Sequence, residues 1–296
     1  MNREERETRS LSLSKEEEAL RKLIAAYEAA TEKLRHMVEV LMLETDDPRV
    51  VYQVEYQESL RAKISAILAE MESENEGSAN DFLVLAAEIA FVGTLYSLWK
   101  QGFDGDVAYD PITTSTALKR LQINTEQLAS NLQSEISRGL ASGSSFDEIV
   151  QGVSDTMKVS RNKAQMIVAN EGTRLSEINN LEAMYAARDK GAEVMKEWSA
   201  ILDNRVRPDH VTLHGQRVPL DEAFVLHSED GNTYTAMYPH GFGVAKEDIN
   251  CRCTIVPRLG NSAVRDADAD FSAYRTAFLA GGLALLGLGI ISTDQS

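Results

Sequence analysis

GAEVMKEWSA, residues 191–200, is where the chain changes texture. Before it, apolar residues recur at three- and four-residue intervals, the signature of amphipathic helices. From Glu193 the pattern alternates, and Lys196-Glu197-Trp198-Ser199-Ala200 reads as a half-buried strand. Downstream, Asp230-Gly231 separates the β-prone runs 224–227 and 233–238, which predicts a hairpin. Cys251-Arg252-Cys253-Thr254-Ile255-Val256-Pro257 alternates again and places Cys251, Cys253 and Ile255 on one strand face. The fold class is therefore α+β: a long N-terminal helical region, a small α+β module with short strands, and an apolar C-terminal tail.

Upstream of that switch, the pattern predicts helices over 14–43, from Pro48 to about Met71, over 81–99, over 114–140, a short one from Ser145, and a last one from Arg161 to Gly191. The polar stretch 72–80 is read as a break, and 103–111 as a loop. Only 6% of residues are aromatic and there are 6 prolines, which favours long helices over a β-sandwich. Three regions follow: a helical, assembly-facing region 1–154, the module 155–258, and an acidic linker with the apolar tail, 259–296. The uncharged run 276–293 is at the lower limit for spanning a bilayer, about 18 residues. It reads as a terminal helix covering an apolar patch or an assembly contact, with membrane contact as the alternative.

The chain of 296 residues has 43% hydrophobic and 26% charged residues, which excludes wholesale disorder. Its N-terminus, MNREERETRS, lacks the apolar core of a signal peptide. Two cysteines cannot build the disulfide framework of a small secreted domain. A net charge of −16 excludes a protein that coats DNA by general basicity. Only 158–217 is net basic, with 10 Lys+Arg against 8 Asp+Glu. Candidate DNA contacts are therefore Arg161, Lys163, Arg174, Arg205 and Arg207, with a solvated mixed-charge surface as the alternative.

Four of the five histidines and both cysteines fall between positions 210 and 253. Nitrogen and sulfur donors so crowded suggest zinc, with Cys251 and Cys253 as thiolates, His210 as a third ligand and His214 or His240 completing the set. The alternative is small core thiols and loop histidines. His210-Val211-Thr212-Leu213-His214 lacks the glutamate of a zinc-protease helix, the zinc-deaminase elements are missing, and there is neither a phosphate-binding glycine loop nor a Gly-x-Ser-x-Gly. Enzyme chemistry is not supported. Asp203, Arg205, Arg207, Asp209 and His210 instead suit a loop-pinning network of bidentate hydrogen bonds, and Glu171 and Arg174 share a helix face.

One ordered set of motifs goes further. A helix bearing Ala169-Asn170-Glu171-Gly172-Thr173-Arg174 precedes Lys196-Glu197-Trp198, then Asp203-x-Arg205-x-Arg207-Pro208-Asp209-His210, Leu213-His214-Gly215, Phe224, Tyr238-Pro239, Gly243 and Asn250-Cys251-Arg252-Cys253. This series resembles the phage head morphogenesis family, the minor head proteins similar to the phage Mu F protein, over about residues 155–258. The resemblance implies a non-enzymatic virion component of a tailed bacteriophage or prophage, made in the host cytoplasm. Its partners would be portal and other head or procapsid proteins, and it would act in head assembly and in DNA packaging or ejection. It marks Glu171, Arg174, Trp198, Asp203, Arg205, Arg207, His210, Gly215, Asn250, Cys251, Arg252 and Cys253 as the structural motif. Asn170 stands where relatives usually carry threonine, and His214 where aspartate is common, which leaves His210, Cys251 and Cys253 as candidate ligands of a structural zinc. Some relatives carry a C-terminal toxin domain; the roughly forty residues after the module are too few for an independent enzyme domain. The alternative function is a zinc-dependent enzyme or effector delivered with phage DNA.

Overall fold

The computed structural model describes residues 3–260 except 46 and 109, with side chains from residue 14 onward. Most of the acidic linker and all of the apolar run 276–293 lie outside the described residues. Four long helices come first: α1 (Arg3–Glu44), α2 (Val54–Lys100), α3 (Ala117–Ser142) and α4 (Phe146–Asp189). Five strands and two short helices follow: β1 (Val194–Ser199), α5 (Pro208–Leu213), β2 (Arg217–Pro219), β3 (Phe224–His227), β4 (Thr233–Ala236), α6 (Ala245–Asp248) and β5 (Thr254–Leu259). This is the α+β class expected from the alternation.

Two expected helix breaks are absent. The polar stretch 72–80 continues α2, because Met71, Asn75, Ala79 and Phe82 extend the buried stripe begun by Leu60, Ile64 and Leu68. A stripe that keeps the helical period outweighs the polarity of the residues between. The window that makes α2 long and apolar enough to cross a membrane is mostly buried, as in the core helix of a folded protein. Similarly, the segments expected from Ser145 and from Arg161 form one helix, with Ile149, Val153, Met157, Ala164 and Val168 buried at helical spacing. Its start is a capping box: the Ser145 N–H donates to Glu148 Oε2 (2.8 Å) and the Glu148 N–H to Ser145 Oγ (3.3 Å). The real break lies just before, at Gly143, whose left-handed φ of 69° ends α3.

The chain divides into two compact units that do not follow chain order. One comprises 13–83 and 115–171 and is wholly helical. Its apolar core encloses a polar knot: Asn124 Nδ2 donates to Ser160 O (3.1 Å) and Ser160 Oγ (2.8 Å) and lies 3.2 Å from Tyr27 Oη. Burial pushes the Tyr27 hydroxyl pKa up. Asn124→Leu keeps the volume but leaves the Ser160 carbonyl without this side-chain donor. It is expected to lower unfolding free energy by about 2 kcal/mol, measured by urea titration.

The other unit, in its described residues 3–12, 84–114 and 172–260, holds the strands. An antiparallel sheet of order β2-β1-β5 pairs Trp198 with Ile255 and Lys196 with both Val218 and Pro257, while β3 and β4 form the expected hairpin. Strand β5 is an edge whose outward positions are 255, 257 and 259. The Ile255 N–H donates to Glu177 Oε2 (2.8 Å), Pro257 has no N–H, and the Leu259 N–H donates to Gln101 Oε1 (3.1 Å) while Gln101 Nε2 returns a bond to Pro257 O (3.1 Å). Side chains from α4 and from the turn after α2 thus complete the ladder that an exposed edge would offer to another chain. The core of this unit joins Phe91, Leu95 and Leu98 of α2 and Leu181 and Met184 of α4 to Trp198, Phe224, Leu226 and Ile255.

Candidate functional site

Chain geometry brings His210, Cys251 and Cys253 together. Pro208 opens α5, where its fixed φ suits the first turn, and His210 follows two residues later. The cysteines precede β5, which begins only at Thr254, so the expectation of mid-strand cysteines is corrected. Their side chains nevertheless share the buried face with Ile255. Asn250 adopts a left-handed φ of 59°, tolerated by asparagine, and the Cys251 N–H donates to Asp248 O (3.2 Å). That turn aims both thiols inward.

His210 is 1% exposed. Its Nδ1 lies 3.5 Å from Cys251 Sγ and 3.6 Å from Cys253 Sγ, and its Nε2 lies 3.1 Å from Glu247 Oε2. Ser228 Oγ sits 3.0 Å from Glu247 Oε1 and 2.8 Å from Asp209 Oδ2, and Lys246 Nζ lies 3.2 Å from Glu247 Oε1. Burial alone pulls the His210 imidazolium down, but its bonds to Cys251 and Glu247 outweigh burial and raise its pKa. The hydrogen bond between the thiols, together with burial, pushes Cys251 up, and the same bond lowers Cys253. Trp198 packs edge-on against His210, at a centroid distance of 5.9 Å, and its indole N–H, turned to Cys253, helps lower that thiol.

The other histidines are not part of this cluster. His214 Nδ1 accepts from the Ala200 N–H (3.1 Å), His227 pairs with Thr233 on the hairpin, and His240 Nε2 meets Cys251 O (2.8 Å). Burial lowers the His240 pKa.

Two of the motif arginines, Arg207 and Arg252, bond across to other loops. Arg252 grips Asp203 with two bonds of 2.7 and 2.6 Å, which holds the Asp203 carboxyl well below the usual carboxylate range. Arg207 donates to Ile249 O (2.5 Å), while Arg205 is exposed, its guanidinium 3.9 Å from Asp203. Gly215, at φ 81°, makes the turn in which its N–H donates to Trp198 O (2.8 Å). In the helical unit, Glu171 accepts from Ser115 Oγ (2.9 Å) and the Thr116 N–H (3.1 Å), anchoring the start of α3. Of the remaining DNA candidates, Arg161 pairs with Glu28 at 3.9 Å, Lys163 is exposed and Arg174 is half-buried. Sequence reasoning missed Glu247, Ser228, Glu177 and Gln101.

The His210–Cys251–Cys253 cluster is thus buried, whereas the Asp203–Arg252 pair is partly exposed. Residues 130–256 match the family model described as Phage Mu protein F like protein, which bears out the resemblance read from the ordered motifs. The chain is similar to the Minor head protein GP7 of Bacillus phage SPP1, 32% identical over 147 residues, covering 50% of this chain and 46% of that protein. It is also similar to the NAD(+)--arginine ADP-ribosyltransferase EFV of Enterococcus faecalis (strain ATCC 700802 / V583), 27% identical over 216 residues, covering 69% of this chain and 43% of that protein. The chain spans less than half the length of these curated relatives. No solved structure matches it.

Proposed function

We propose that the chain is a minor head protein of a tailed bacteriophage or prophage, synthesised in the host cytoplasm and carried in the virion at the head interior or portal vertex. It acts without catalysis in head morphogenesis and in DNA packaging or ejection, through portal and other head proteins. One observation carries this reading: the family match over 130–256 contains the motif residues Asp203, Arg207 and Arg252, and these are engaged in holding loops. Long acidic helices suit docking on a larger partner, and the net charge of −16 disfavours tight autonomous DNA binding. Exposed Lys163 and Arg205 are the candidates for touching packaged DNA.

Mass spectrometry of purified virions and procapsids tests this. The chain is expected in both, at few copies and alongside portal protein; its absence from both overturns the reading. The second reading, a zinc-dependent enzyme or effector delivered with the DNA, is favoured by the convergence of three metal-donor side chains. It requires Cys251→Ala to abolish an activity while the fold persists.

A further inference from the structure

The His210–Cys251–Cys253 cluster has the geometry of a metal site before any metal is considered. The three donor atoms lie within 4.8 Å of one another, and all three residues are buried. A tetrahedral zinc with Zn–N of about 2.05 Å and Zn–S of about 2.3 Å requires nitrogen–sulfur edges of about 3.5–3.6 Å. The observed edges, 3.5 and 3.6 Å, match both.

The proton positions agree. Glu247 Oε2 faces His210 Nε2 at 3.1 Å, so Nε2 carries the hydrogen and donates it to the carboxylate. The Nδ1 lone pair is then left bare between the two sulfurs. A carboxylate orienting a histidine in this way is the usual outer partner of a zinc-ligating imidazole. Glu247 is itself fixed, by Ser228 and Lys246. The buried Trp198 indole N–H turns to Cys253, placed to support a thiolate there.

We propose that His210 Nδ1, Cys251 Sγ and Cys253 Sγ hold one zinc ion, oriented by Glu247, with a solvent oxygen at the fourth corner. Binding releases two thiol protons to solvent, and the two thiolates neutralise the dication, so little net charge is buried. The ion ties α5 to the turn before β5, two segments some forty residues apart, and serves as a staple for a small sheet unit. This assignment does not depend on the head-protein reading.

Full-length protein purified without added metal is expected to carry about one zinc per chain by elemental mass spectrometry. Replacing that zinc with cobalt(II) should give the intense visible bands of a tetrahedral ion and a thiolate charge-transfer band. Glu247→Gln should weaken zinc affinity by about 10–100-fold, whereas His227→Gln, on the exposed hairpin, should leave it unchanged. Cys251→Ser and Cys253→Ser should each lose the metal; because either variant can unfold, the wild-type cobalt spectrum is the deciding measurement. Folded wild-type protein that carries no zinc, and gives no charge-transfer band with cobalt, overturns the proposal. A Glu247→Gln affinity equal to wild type overturns the orienting role.

Discussion

Trp198→Ala is expected to lower the unfolding free energy by about 3–5 kcal/mol, the range for removing a fully buried large aromatic side chain. Trp198 has no exposed surface and lies on the central strand of the β2-β1-β5 sheet, in register with Ile255. Its ring meets Phe224 edge-on at 5.1 Å, Phe242 at 5.8 Å and His210 at 5.9 Å. Truncation therefore opens a cavity bordered by two aromatic rings and the candidate metal ligand, and β1, fixed on both sides, cannot collapse to fill it. A loss of this size is a large share of the roughly 5–15 kcal/mol by which domains are stable. Trp198→Phe retains most of the ring contacts and should lose less than half as much. Urea titration followed by circular dichroism measures both, and an alanine variant within 1 kcal/mol of wild type contradicts this account of the core.

How far such a core could be read in advance depends on the kind of signal. The change from helical to alternating periodicity at 193 located β1, and Asp230-Gly231 located the β3–β4 hairpin, because local turn chemistry and pleat both leave a mark on neighbouring residues. Helix ends were less legible. The stretch 72–80 looks like a loop in composition, yet Asn75 and Ala79 keep the buried period, and packing against other helices overrides composition. The same holds for Arg161, read as a helix start although the cap lies at Ser145.

The candidate site was legible in its donors and illegible in its supports. His210, Cys251 and Cys253 are rare residue types in a short interval, so their crowding is visible. Glu247 is one acid among 46 Asp+Glu residues, in the ordinary-looking run Ala245-Lys246-Glu247-Asp248. Its burial beneath His210 arises only when α5 and α6 meet. Gln101 and Glu177 were hidden for the same reason: each completes the β5 ladder across more than seventy residues of chain.

Lys196→Met is expected to stabilise the protein by about 2 kcal/mol at pH 7, and this gain should vanish as the solution becomes alkaline. Lys196 is a charged residue with no exposed surface, its Nζ donating to Leu220 O (2.9 Å), 3.8 Å from Met237 Sδ and 5.5 Å from the centre of the Phe224 ring. Burial lowers its pKa from 10.5 to about 8, with Asp221 and Glu222 opposing the shift only in part. At about 1.4 kcal/mol per pH unit, holding the charged form in the folded state costs about 3 kcal/mol below pH 8. Methionine has a similar length and needs no partner, but it leaves the Leu220 carbonyl without its donor, which offsets about 1 kcal/mol of the gain. Between about pH 8 and 10.5 the folded lysine has lost its proton while the unfolded one keeps it, so the unfolded state binds more protons. In that window the contribution of Lys196 to stability rises with pH, and wild type closes on the variant. Above it the difference should be near zero or slightly in favour of lysine. Paired urea titrations of wild type and Lys196→Met at pH 7 and pH 10 isolate this residue, because every other titrating group is common to both. A stability difference that stays constant across the two pH values would mean that Lys196 is not buried as a cation.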